Sequence, residues 1–114
     1  MLHLNPVVFA NPKCSYSSES LFRQLIYIPA PHGVIPCLYL DNKKKEGHKG
    51  KVLLYFHGNA EDLGVTFNFL TMLRDILQMR VIAMEYRGYG LYQEDKSSDG
   101  LLVDGLTVYD YINK

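Results

Sequence analysis

Three features of this 114-residue sequence place reactive side chains or main-chain groups where they could do chemistry. The first is the run His57-Gly58-Asn59-Ala60-Glu61-Asp62, which holds an imidazole, two carboxylates and a turn-forming glycine. An imidazole can serve as a general base, a carboxylate pair as acid and base, and main-chain amides at a turn can receive developing negative charge. The second is Glu85-Tyr86-Arg87-Gly88-Tyr89-Gly90, where Arg87 and Tyr89 suit either the wall of a ligand pocket or a surface turn. The third is Cys37, a thiol inside an apolar run with no histidine beside it in sequence, a poor setting for a nucleophile.

The elements that must position these residues follow from patterning. Leu25-Ile26-Tyr27-Ile28 and Val34 to Leu40 are rich in β-branched and aromatic residues, and Pro31-His32-Gly33 between them supplies turn chemistry. They read as an antiparallel hairpin, with Pro36 giving the second strand an edge-like or irregular start because proline cannot donate to a ladder. Val52 to Phe56 is continuously apolar, which predicts a strand in the middle of a parallel sheet, covered on both faces. Phe69, Leu70, Leu73, Ile76 and Leu77 recur at helical spacing, and Val81 to Met84 reads as a second buried strand. Together these make one parallel βαβ unit. Ser97 to Gly100 offers caps for a final helix whose apolar stripe is Leu102, Leu106, Tyr109 and Ile112.

The His57–Asp62 run therefore falls between a strand and a helix. A helix start leaves N–H groups without intrahelical partners, and in an open α/β sheet the ligand site lies at the carboxyl ends of the strands. The same placement gives Glu61 and Asp62 a structural role, since acidic groups at a helix start meet the positive end of its dipole. Gly88-x-Gly90 lacks the third glycine of a dinucleotide fingerprint, with Gln93 at that position.

Composition narrows the function classes. Twelve Lys+Arg balance twelve Asp+Glu, so no net positive charge points to nucleic acid. Lys43, Lys44, Lys45 and Lys49 cluster in a polar stretch from Asn42 to Gly50, which reads as a solvated loop. The two cysteines, Cys14 and Cys37, form no disulfide framework and no metal-ligand spacing. No bound metal or cofactor is expected. The N-terminus shows no secretory pattern and no apolar run is long enough to span a bilayer, so the expected location is cytoplasmic or intracellular.

Leu53 to Gly64, with His57-Gly58-Asn59-Ala60 inside it, followed by Glu85-Tyr86-Arg87-Gly88-Tyr89-Gly90, resembles the N-terminal half of an α/β-hydrolase. It is similar in particular to the depalmitoylase-like and serine-aminopeptidase-like branch. The resemblance runs from about Leu25 to the end. Residues 1–24, rich in Asn, Pro and Ser, read as an extended lead-in, and the resemblance implies a partial α/β-hydrolase fold over 25–114. That part comprises an antiparallel hairpin, a parallel βαβ unit and a final helix, without the nucleophile-elbow strand. By that resemblance Asn59 gives a backbone N–H to the oxyanion hole, and His57 and Gly58 support the turn.

The second oxyanion donor, the nucleophile, the acid and the base of that family lie on later segments. None of the six serines here, at 15, 17, 18, 20, 97 and 98, stands in a Gly-x-Ser-x-Gly context. The resemblance thus implies a serine hydrolase of acyl esters or thioesters, present as the half with one oxyanion donor and no triad. The alternative is a non-catalytic, hydrolase-derived subunit of a larger assembly. In the family's strand order the edge of Val52–Phe56 adjoins the missing strand, so a protein partner or a C-terminal half is expected there.

Overall fold

The computed structural model describes residues 13–21, 23–42, 51–58, 60–92, 94 and 98–113. Its elements are β1 (Leu25–Ala30), β2 (Gly33–Leu40), β3 (Val52–Phe56), α1 (Leu63–Leu77), β4 (Arg80–Met84) and α2 (Ser98–Ile112). Tail residues 1–12, the lysine-rich stretch 43–50, Asn59, Gln93 and Ser97 lie outside the described residues.

The four strands form one mixed sheet in the order β1-β2-β4-β3. β1 and β2 pair antiparallel from Leu25↔Leu38 to Ala30↔Gly33, which is the expected hairpin. β2 then pairs antiparallel with β4 from Cys37↔Met84 to Leu40↔Val81. β3 runs parallel to β4, Val52↔Arg80 to Phe56↔Met84, with α1 between them in sequence, so the βαβ unit is present. The sheet therefore joins an antiparallel half to a parallel half at β4.

Two positions in this sheet differ from expectation. β4 is buried on both faces, with Val81 to Met84 0–1% exposed, whereas β3 stands at the end of the described sheet and is only half-buried. Continuous apolarity in β3 marks a strand that would be covered on both faces if the sheet extended past it. β2 is an inner strand despite Pro36, because its ladder to β4 begins one residue later at Cys37. Pro36 needs no donor there, and its carbonyl accepts from Glu85 N at 2.9 Å.

The pleat divides the core by period two. On one face Leu38, Leu40, Val81 and Ala83 meet Leu63 and Leu70 of α1, together with Tyr16 and Leu21 from the segment before the hairpin. On the other face Ile28, Ile35, Cys37, Ile82 and Met84 meet Val108 of α2 and Tyr92 from the segment before it.

α1 is capped at both ends. Asp62 is extended at the N-cap and accepts from Val65 N at 3.0 Å; Gln78 closes the C-terminus at φ 54° and donates to Arg74 O at 2.8 Å.

The helix stripes read from sequence are partly misplaced. In α1 Leu70 is buried and Leu73 and Leu77 half-buried, but Phe69 and Ile76 are 47% and 68% exposed. In α2 the buried face is Asp104 and Val108, flanked by half-buried Leu101 and Ile112, while Leu102, Leu106 and Tyr109 face outward. Each helix has two apolar faces, and periodicity alone cannot say which one meets this sheet. No helix among the described residues is long and apolar enough to cross a membrane.

Candidate functional site

β3 delivers His57 and Gly58 at the carboxyl end of the sheet, and the same edge receives Glu85 directly after β4. His57 and Glu85 meet there, both buried, with His57 Nε2 donating to Glu85 Oε1 at 2.7 Å. The other ring nitrogen, Nδ1, lies 2.9 Å from Gly58 O. The imidazole packs on Tyr86 at a centroid distance of 3.8 Å, and Tyr86 donates its hydroxyl to His57 O at 2.7 Å. His57 is thus tied at both ring nitrogens and at its carbonyl. That geometry fits a turn support, and among the described residues no serine or cysteine hydroxyl or thiol is bonded to the ring.

Gly58 N donates to Glu61 Oε1 at 2.7 Å, and Glu61 N returns a bond to Gly58 O at 3.1 Å. Glu61 therefore closes the turn instead of entering the helix, while Asp62 caps α1 and so meets the helix start as the sequence suggests. Asp62 is buried, and besides Val65 N it accepts from both the backbone N–H and the hydroxyl of Ser15. Asn59, the position to which the resemblance gives the oxyanion amide, lies outside the described residues.

Glu85 is the hub of the site, and sequence reasoning missed it. Four donors converge on its two oxygens: His57 Nε2 and Tyr86 N on Oε1, Tyr16 Oη and Leu63 N on Oε2. A carboxylate sealed from water is tolerated only when its lone pairs are satisfied in this way. One signal was legible: Glu85 continues directly from four buried apolar residues, so a carboxylate there had to be partnered. Tyr16 carried no such signal. Burial beside the Glu85 carboxylate pushes its phenol above the ordinary tyrosine range.

Tyr89 packs against the rings of His57 and Tyr86, at centroid distances of 5.5 and 5.6 Å, whereas Arg87 belongs to a second network. Arg87 donates through Nε and Nη2 to the two oxygens of buried Asp104, at 3.0 and 2.9 Å. Tyr92 donates to Asp104 at 2.7 Å and accepts from His32 Nε2. The guanidinium is therefore engaged in joining the 86–92 turn to α2, and Tyr89 is buried at 1% exposure. Cys37 is fully buried in β2 and burial pushes its thiol up, the setting of an unreactive cysteine. Among the described residues no cluster of three His, Cys, Asp or Glu side chains is placed to hold a metal ion.

Next to this edge lies an apolar groove of about 430 Å³, lined by Leu54, Phe56, Tyr86, Leu102, Leu106 and Tyr109. The outward stripe of α2 forms one wall of it and β3 the other.

The fold defines the class: the chain has a partial α/β-hydrolase-like fold. The architecture matches EstE1, a thermophilic and thermostable carboxylesterase cloned from a metagenomic library, with a TM-score of 0.63 over 77% of this chain and 29% of that one. At 18% identity that likeness concerns the fold. In sequence, 74 residues, 65% of the chain, are 32% identical to the protein Bem46 of Schizosaccharomyces pombe. That match spans 25% of Bem46, so the chain corresponds to about a quarter of that relative's length. No protein-family model matches the chain.

Proposed function

We propose that this chain is the oxyanion side of an α/β-hydrolase-type serine hydrolase acting on acyl esters or thioesters. Asn59 supplies one backbone N–H to the oxyanion of the tetrahedral intermediate, and His57 and Gly58 hold the turn that aims it. The supporting observation is the fixed state of that turn: His57 is clamped by Glu85, Gly58 and Tyr86, and Gly58 by Glu61. Preorganised donors of this kind act without reorganising when charge develops. Nucleophile, acid and base are supplied from outside residues 1–114, on a segment that adds to the open edge of Val52–Phe56.

A second reading is favoured by one observation. Val65, Phe69, Met72 and Ile76 of α1 are exposed, as are Leu102, Leu106 and Tyr109 of α2, and β3 lies between the two helices' sides of the sheet. Apolar surface on both sides of a strand whose outer edge ends the described sheet is a template for another polypeptide. A hydrolase-derived subunit that docks by this surface without turnover would use it equally well.

The test is chemical. The chain, tagged at its N-terminus, is expressed in its native cell, recovered without denaturation and treated with a fluorophosphonate probe. The hydrolase reading expects label on a serine outside residues 1–114 that travels with the tag. Label on any of the six serines within the chain overturns it. Recovery of a stable complex with no labelled serine and no acyl-ester turnover selects the docking subunit.

A further inference from the structure

Ser15 and Tyr16 stand some forty residues before the candidate turn, yet they touch it at two points. Ser15 bonds Asp62 through backbone and side chain, at the N-cap of α1. Tyr16 places its hydroxyl 2.5 Å from Glu85 Oε2 and accepts from Leu91 N at 3.2 Å. The same Glu85 oxygen accepts from Leu63 N, and the other carboxylate oxygen holds the His57 ring.

The seat for this segment is built by two glycines. A β-carbon at Gly64 would overlap the Ser15 hydroxyl and the Tyr16 β-carbon, and one at Gly90 would overlap the Tyr16 ring and the Glu85 carboxylate. Gly90 also has φ +50°, a conformation that favours glycine. A merely adjacent tail would need neither vacancy.

We infer that Tyr16 is a positioning residue of the His57–Leu63 turn, acting through Glu85, so that the Ser15–Tyr16 strap is part of the site. With the phenol in place the carboxylate is fixed, and a fixed carboxylate sets the imidazole and the Leu63 amide together. Without it one oxygen of Glu85 loses its only side-chain donor among the described residues and the carboxylate can turn, loosening both groups while the sheet stays paired. The functional meaning of this role rests on the oxyanion reading above; the geometry does not.

Tyr16→Phe in the 114-residue chain removes one oxygen and keeps the ring in its seat. Amide exchange and the ring resonances of His57 are compared with the parent by NMR. Losing a buried hydrogen bond to a carboxylate should speed exchange at Leu63 by about ten-fold or more and shift the His57 ring signals, with β4 amides Val81 to Met84 changed by no more than about two-fold relative to global stability. An unchanged Leu63 amide and unchanged His57 ring in a folded variant overturn the inference.

Should the variant not fold, the parent chain gives the answer at low urea. The Leu63 amide must open with the same urea dependence as the Leu91 amide, whose acceptor is Tyr16 Oη. Separate dependences overturn the inference. Neither readout involves turnover, so a negative result with the serine probe leaves this result standing, and the reverse holds too.

Discussion

The imidazole of His57 and the carboxylate of Glu85 lie 2.7 Å apart with both side chains sealed from solvent, and they join the carboxyl ends of the two parallel strands. This pair converts two strand ends that would each point into a loop into one rigid rim. Removing Glu85 must therefore do more than delete one bond. Glu85→Ala strands four donors, three of them in buried bonds, and the cost expected from breaking a buried pair is about 3–5 kcal/mol. Glu85→Gln keeps one carbonyl acceptor and should cost less, about 1–3 kcal/mol. Urea unfolding of both variants checks the order; an alanine variant as stable as the parent would show that these bonds contribute nothing net.

Alkaline pH should destabilise the chain. Burial pushes up the phenols of Tyr16, Tyr86, Tyr89 and Tyr92, and the thiol of Cys37. Below their ordinary values, near 10 for tyrosine and 8.5 for cysteine, these groups are neutral in both states and add no pH dependence. Above those values the unfolded chain releases protons that the folded chain keeps. The unfolded state then binds fewer protons, and stability falls as pH rises. Each group contributes at most about 1.4 kcal/mol per pH unit in that range. The urea midpoint should hold from about pH 7 to 8.5 and then fall with growing slope toward pH 11. Tyr16→Phe should flatten that fall; an equal slope in the variant would contradict the burial of its phenol.

The second helix provides the sharpest contrast between pattern and packing. Val108 is fully buried against Ile82 and Met84, whereas Leu106, two residues earlier, is 55% exposed. Val108→Ala should cost about 1–3 kcal/mol through lost transfer energy and an unfilled gap. Leu106→Ala should change stability by less than about 0.5 kcal/mol. Leu106→Lys should likewise leave the fold intact while abolishing any association through the groove beside β3, measured by sedimentation or native co-purification. A large loss of stability from either Leu106 variant would restore the stripe that periodicity indicated.

That contrast shows how far the sequence could be read. The hairpin, the βαβ unit and both helices were legible because strand and helix periods and turn residues are local properties. The half-hydrolase architecture followed from the His57–Asp62 and Glu85–Gly90 motifs taken in order. What stayed hidden depends on contacts distant in sequence. Tyr16 reaches Glu85 across 69 positions, and Asp62 takes its partner from Ser15 across 47. Nothing local in a serine-rich lead-in announces either bond. The α2 stripe failed for a different reason: the helix carries apolar residues on two sides, and the side facing the groove is the more regular one. β3 was given the central place because its composition suits a fully covered strand, although the described sheet stops at it.

The two glycines of the 90–105 region should respond in opposite directions to the same added methyl group. At Gly90 the backbone sits at φ +50°, where a β-carbon costs about 1–2 kcal/mol in itself. The added atom would also lie 2.6 Å from Tyr16 Cε1, so the Tyr16 ring must leave its seat. Gly90→Ala is therefore expected to lose the strap as well as the backbone term, for a total above about 2 kcal/mol. Gly105 lies inside α2, and its nearest outside neighbour would be Phe56 Cε1 at 3.5 Å, an ordinary contact. Alanine there gains helix propensity, so Gly105→Ala should stabilise the chain by about 0.5–1 kcal/mol. Thermal and urea unfolding of the two variants side by side decide the matter. A harmless alanine at 90 would mean that Tyr16 does not occupy the place beside Glu85, and with it the link from the strap to the turn would be lost.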